Sequence, residues 1–131
     1  MGAEIKEITE FDGSLFDQCL RLMWETQGIN VCSMEGLKAT ASSPYSLLLM
    51  AQRDGQVIGG ATAKILDGGY DYYLPFGTEV VDTMKKSKVG SLNMMGIDPD
   101  YQGQGLGQIL ARQRMEWLQR QGCSLLVGNS W

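Results

Sequence analysis

Between Ile97 and Leu110 the chain reads Ile-Asp-Pro-Asp-Tyr-Gln-Gly-Gln-Gly-Leu-Gly-Gln-Ile-Leu. Val89 to Ile97 is apolar enough for a buried strand, and Asp98-Pro99-Asp100 is a turn. Leu106, Ile109, Leu110, Trp117 and Leu118 then share one face of a helix running from about Gly105 to Gln121, with Gly122 as its stop. A strand joined to a helix through so short a glycine loop brings the strand end and the helix N-terminus to one point. Unpaired backbone N–H groups and the positive helix end converge there, which suits a phosphate group. Glycines let the ligand approach the backbone and let the loop take positive φ.

Counting excludes two well-known phosphate loops. The Walker A loop requires Gly-Lys-Ser/Thr, a tripeptide absent from this sequence. The dinucleotide fingerprint requires glycines at offsets 0, 2 and 5, whereas Gly103, Gly105 and Gly107 stand at 0, 2 and 4 and the next residue is Gln108. Its acidic residue about 20 positions on is also missing, because that region is Ser124-Leu125-Leu126. The chain contains no histidine, which removes Ser-His-Asp and Cys-His pairs, H-E-x-x-H metalloproteases and His-liganded zinc. Chemistry must run on carboxylates, hydroxyls, backbone amides or a bound cofactor, and no metal site is expected.

The 131 residues suit one domain, 1–131, with no linker, repeat or low-complexity tract to divide it. Ile5 and Ile8 belong to a short first strand. Ser14 with Asp17 three residues on predicts a capping box for a helix carrying Leu15, Phe16, Cys19, Leu20, Leu22, Met23 and Trp24, closed by Gly28. Ser33 is placed to cap a shorter helix through Ala41. Ser46 to Gln52, Asp54-Gly55 and Gln56 to Leu66 read as a hairpin, with Gly59-Gly60 marking a bulge or a close backbone approach. Asp67 to Lys88 reads as a long loop holding Tyr70, Tyr72 and Tyr73. Cys123 to Gly128 is a last apolar strand. The predicted order is β-α-α-β-β-β-α-β, a mixed α/β fold around a largely antiparallel sheet.

Read as Q-x-x-G-x-G on Gln102, Gly105 and Gly107, with the Pro99 turn and Tyr101 before it and the helix from Leu106 after it, the segment resembles the acetyl-CoA signature of the GNAT acyltransferase superfamily. The order of the other elements is similar to the family's. The resemblance implies a GNAT-like sheet flanked by helices and acetyl-CoA as cosubstrate. The pyrophosphate would be held by backbone amides of Gln102, Gly103, Gln104, Gly105, Leu106, Gly107 and Gln108. The strand end at Met95, Gly96 and Ile97 would splay from its neighbour and bond the pantetheine arm. Met95 N–H would polarise the thioester carbonyl as the catalytic group, a fixed dipole that stabilises an oxyanion without histidine. An amine acceptor attacks after losing a proton to a carboxylate or a water chain. Where some members carry a glutamate base, this chain has Ser91, with Asn93 two further on; Glu79 and Asp82 in the preceding connection are carboxylates that could reach the site.

The resemblance also sets expectations about assembly. Family domains continue past the final strand seen here into another helix and two strands, whereas this sequence stops at Asn129-Ser130-Trp131. Asn129 matches an asparagine that members carry just past that strand. A second copy of the chain is expected to cover the last strand's edge, giving a homodimer, unless the 67–88 connection fills the gap. The expected function is N-acetyl transfer to a small-molecule amine; the alternative is a catalytically silent acyl-CoA-binding or protein-interaction domain. The tyrosine cluster would face the acceptor or form an ordinary amphipathic loop.

Charge and cysteine usage complete the reading. The net charge is −4, with 5 Lys or Arg against 12 Asp or Glu in residues 1–84 and 6 against 3 in residues 85–131. Such a chain is not a general nucleic-acid binder, although its basic last third could accommodate one small polyanion. Cys19, Cys32 and Cys123 are widely spaced and odd in number, which reads as reduced thiols. No apolar run approaches the roughly 20 residues of a membrane span, and the N-terminus lacks a signal-peptide layout. A cytoplasmic protein without membrane attachment is expected.

Overall fold

Five consecutive residues, Leu47 to Ala51, are each 5% exposed or less, so their strand is covered on both faces. Alternate side chains divide between two cores. Leu48 and Met50 pack with Phe16, Cys19, Leu20 and Met23; Leu47, Leu49 and Ala51 pack with Leu106, Leu110 and Leu118.

The computed structural model describes residues 2–28 and 31–128. In chain order it holds β1 (Glu4–Glu7), α1 (Gly13–Gln27), α2 (Met34–Ser42), β2 (Ser46–Arg53) and β3 (Gln56–Ile65). A 3-10 segment (Tyr70–Phe76), α3 (Thr78–Lys85), β4 (Val89–Ile97), a 3-10 turn (Pro99–Tyr101), α4 (Leu106–Arg120) and β5 (Leu125–Gly128) follow. The sheet order is β1-β2-β3-β4-β5, antiparallel except for the parallel β4–β5 pair, whose crossover is α4. α1 and α2 cover one face and α4 the other. This is the mixed, largely antiparallel α/β architecture expected from the sequence, with the elements in the expected order. No helix among the described residues is long and apolar enough to cross a membrane. Asn129 lies outside the described residues.

Local chemistry sets most boundaries. Asp54 (φ 52°) and Gly55 (φ 78°) both take positive φ, as a type I′ hairpin turn requires. Ser33 Oγ accepts from Gly36 N at 3.0 Å and caps α2. At α1 the predicted Ser14 cap is displaced: Asp12 Oδ1 accepts from Leu15 N at 3.0 Å, and Ser14 sits inside the first turn, where its hydroxyl accepts from Gln18 Nε2 at 3.3 Å. A carboxylate caps as well as a hydroxyl and adds its charge to the positive helix end, so Asp12 prevails.

The 67–88 connection also differs from the sequence reading, being largely helical rather than an extended loop. Val81 and Met84, three residues apart, are buried and anchor α3, and Gly77 at φ 114° separates it from the 3-10 segment. Tertiary burial supplies the stability that a helix of eight residues lacks alone.

Gly59 and Gly60 mark both a bulge and a close approach. Ile58 is an extra residue between the pairs Ala51↔Gly59 and Gln52↔Val57. A Cβ on Gly60 would lie 2.9 Å from Cys19 Sγ of α1, and one on Gly59 would lie 3.2 Å from Leu106 Cδ2 of α4. Both helices therefore press on the sheet at adjacent residues, opposite the C-terminal end of β4, through the pairs Gly59↔Ile97 and Gly60↔Gly96.

Candidate active site at the end of β4

Among the described residues β4 pairs with β5 only from Val89↔Leu125 to Leu92↔Gly128, whereas its pairing with β3 continues to Ile97↔Gly59. The last residues of β4 thus present one edge with no strand neighbour among those described. Which groups face that edge follows from antiparallel alternation. Asp98 N donates to Ile58 O at 2.8 Å, which makes Gly96↔Gly60 the doubly bonded pair and Met95↔Ala61 and Ile97↔Gly59 the non-bonded ones. The N–H and C=O of Met95 and Ile97 consequently turn away from β3 into the open edge. The Ile97 carbonyl accepts from Gln102 Nε2 at 3.0 Å. Gly96 turns its backbone groups toward Gly60, and its missing side chain leaves room for Thr26 and Met23 of α1. Its contribution to the edge is space rather than a hydrogen bond.

A bulge in β4 precedes Met95. Between Ala61↔Met95 and Ala63↔Leu92, Thr62 stands opposite two residues, Asn93 and Met94, and Met94 N donates to Thr62 Oγ1 at 3.1 Å. An inserted residue of this kind decides which way the following backbone groups point.

The three glycines of the loop serve two purposes. Gly103 (φ 78°) and Gly105 (φ 86°) hold left-handed backbone, and a Cβ on either would meet nothing within 4 Å. Gly107 has no positive φ; a Cβ there would stand 3.2 Å from Ile97 Cδ1 and 3.5 Å from Met95 Cε. The first two shape the turn and the third seats α4 on β4. Gly105 is the N-cap of α4, with no side-chain cap, and the first helical bond runs from Ile109 N to Gly105 O at 3.2 Å. The N–H groups of Leu106, Gly107 and Gln108 therefore lack intrahelical acceptors, at the positive end of the helix. The Leu106 side chain is 1% exposed and belongs to the core, so only its backbone serves the loop. Gln104 Nε2 folds back on Asp100 O at 3.4 Å, as Gln102 does on Ile97. An open, Cβ-free surface over an uncapped helix end fits the phosphates of a nucleotide ligand, which main-chain amides would hold.

A cleft of about 350 Å³ opens between the end of α1 and β4, lined by Glu25, Thr26, Gln27, Met95, Ile97, Pro99 and Gln102. Glu25, an exposed carboxylate residue of α1, and Met95 of β4 both line it. Sequence reading missed Glu25 because nothing in the local pattern links α1 to a strand so distant in the chain. A second cleft, about 380 Å³, includes Lys64, Tyr72, Tyr73, Ser91 and Asn93, with Ser91 Oγ donating to Asn93 Oδ1. Tyr70 does not line it, and Glu79 and Asp82 line neither cleft. Arg53, at the end of β2, lies over the Tyr101 ring at 5.7 Å and brings a cation beside the loop.

One further residue near the edge was not anticipated. Arg114 of α4 is 4% exposed, and its Nη2 lies 3.7 Å from Met95 Sδ. Its spacing from Leu110, Trp117 and Leu118 puts it in the buried stripe of the helix, a signal legible in the sequence. Burial lowers its pKa from the ordinary guanidinium value.

The profile described as "Acetyltransferase (GNAT) family" matches residues 14–129. A mycothiol acetyltransferase of Cellulomonas flavigena is 30% identical over 94 residues, covering 70% of this chain and 24% of that protein. The chain thus spans about a quarter of the length of that curated relative. Among solved structures, the aminoglycoside 6'-N-acetyltransferase AAC(6')-Ih of Acinetobacter baumannii superposes with a TM-score of 0.73 at 18% identity, covering 99% of this chain and 80% of that one. AAC(6')-Iy in complex with a CoA bisubstrate analog gives 0.67 at 14% identity, covering 98% and 80%. At such identities the structural likeness speaks to the fold. The profile match runs through α1, the glycine loop and both strands that flank α4, and on that ground the chain belongs to the acetyltransferase (GNAT) family.

Proposed function

We propose that residues 1–131 act as one GNAT-like unit that transfers the acetyl group of acetyl-CoA to the amine of a small molecule. The observation that carries this reading is the outward-facing N–H of Met95, on an open strand edge beneath the start of α4. Backbone amides from Gln102 to Gln108 hold the pyrophosphate, and the outward groups of Met95 and Ile97 bond the pantetheine arm much as an added strand would be bonded. Met95 N–H donates to the thioester carbonyl oxygen and stabilises the negative charge that develops as the amine nitrogen attacks the carbonyl carbon. A single preorganised donor of this kind is worth about 10²- to 10³-fold in rate. Glu25 accepts the amine's proton, directly or through water, and the C–S bond breaks as CoA leaves as its thiolate.

The relative that is a mycothiol acetyltransferase and the neighbours that are aminoglycoside acetyltransferases support a small-molecule acceptor. The absence of histidine is compatible with this route, because backbone and carboxylate suffice for it. Thiol release from acetyl-CoA across a panel of amines tests the reading, alongside the shift in Tm that acetyl-CoA produces. Turnover with at least one amine is the expected result. A thermal shift without turnover would favour a catalytically silent acyl-CoA-binding domain, and the absence of both turnover and thermal shift would overturn the reading.

A further inference from the structure

We propose that Arg114 is a positioning residue for acetyl transfer: its guanidinium, bonded to Thr62 and resting on Met95, locks the β3–β4 bulge and so aims the Met95 N–H at the open edge. The inference rests on the acetyl-transfer reading above.

Arg114 is a buried cation with no counter-charge among the described ion pairs, which join Lys6 to Glu4, Arg21 to Asp17 and Arg120 to Glu7. Its neighbours along the same helical stripe, Leu110, Trp117 and Leu118, are apolar. Removing a guanidinium from water without a carboxylate partner is costly, and a long apolar side chain would fill the same space.

The hydrogen bonds show what the cation does at that position. Nε donates to Leu110 O at 3.4 Å within its own helix, and Nη1 reaches across to Thr62 O at 3.2 Å. Thr62 is the residue opposite the bulge, and its Oγ1 accepts from Met94 N. Its carbonyl is thus held from α4 while its hydroxyl holds the Asn93–Met94 peptide, one residue before Met95. The remaining arm, Nη2, lies against Met95 Sδ and keeps that side chain on the α4 face, which leaves the Met95 N–H directed along the sheet toward the open edge. A one-residue slip at the bulge would turn the Met95 N–H toward β3 instead.

Steady-state kinetics of Arg114→Met, Thr62→Val and the double variant test the assignment, with acetyl-CoA affinity measured separately by calorimetry. Each single variant is expected to lose about tenfold to a hundredfold in kcat, the scale of a displaced catalytic group, while acetyl-CoA affinity stays within about twofold. The double variant should be little slower than the slower single one, because both substitutions release the same bulge. Unchanged kcat in wild-type-like Arg114→Met, an equal fall of kcat and affinity, or multiplicative single effects would each overturn the role. If Arg114→Met does not fold, Thr62→Val decides the matter by the same split. A wild-type protein that binds acetyl-CoA but acetylates no amine would instead overturn the acetyl-transfer reading, and this role with it.

Discussion

Gly107 lies against Ile97 so closely that a Cβ on the glycine would stand 3.2 Å from Ile97 Cδ1. The contact seats the first turn of α4 on the last residue of β4, which brings the loop amides over the open strand edge. Gly107→Val should push the helix off the strand and destabilise the fold by about 1–3 kcal/mol, the usual cost of overpacking. Urea unfolding measures this as a lower midpoint at unchanged slope. An unaltered midpoint would mean that α4 has room to move.

Gly105 makes a different demand, because its φ is 86° and the space beyond it is open. Gly105→Ala should cost about 1–2 kcal/mol for left-handed backbone while leaving the loop surface free. Gly105→Asp adds a carboxylate where the proposed pyrophosphate sits. Acetyl-CoA should therefore still raise the Tm of the alanine variant and have no effect on the aspartate variant; a full shift in the latter would show that the loop does not hold the pyrophosphate.

Gly60 is required by packing from the other side, where a Cβ would lie 2.9 Å from Cys19 Sγ and 3.0 Å from Met23 Cε. Gly60→Ala is expected to destabilise by about 1–3 kcal/mol. Cys19→Ala removes the sulfur, so the double variant should lose less than the two single losses combined. Simple additivity in thermal or urea unfolding would contradict the contact.

Burial pushes the Cys19 thiol from an ordinary 9.0 up to about 12, with Cys32 nearby adding to the rise. The folded protein keeps this proton over a pH range in which the unfolded chain releases it. Stability from this group is therefore complete below pH 9 and declines from there toward pH 12. The difference in unfolding midpoint between wild type and Cys19→Ala, followed from pH 7 to 11, should shift against the wild type only above pH 9. A difference constant across the range would rule out the effect.

Much of the fold was legible because its signals are local. Asp54-Gly55 can satisfy an I′ turn, Ser33 can cap a helix, and Gly122 can end one, whatever the rest of the chain does. The glycine loop was legible for the same reason: strand, turn and helix lie within fourteen consecutive residues, Ile97 to Leu110. Where two local signals competed, as at Asp12 and Ser14, the pattern alone did not rank them. The 67–88 connection differs from the sequence reading because Val81 and Met84 carry helical i, i+3 spacing over only eight residues, too short a segment to hold as a helix until both are buried.

The sequence alone therefore set the strands, the turns, the glycine geometry at Gly103 and Gly105 and the family resemblance, all consequences of residue type and spacing. Tertiary structure decided which backbone groups are usable. The Met95 N–H faces away from β3 because of the register set at the bulge opposite Thr62, it meets an open edge because pairing with β5 runs only to Leu92↔Gly128 among the described residues, and the Thr62 carbonyl is bonded by a guanidinium from α4. The nearness of Glu25 to that edge likewise depends on α1 packing against Gly96. These relations join residues tens of positions apart, and hydrogen-bond alternation across strands is defined only once the strands have paired.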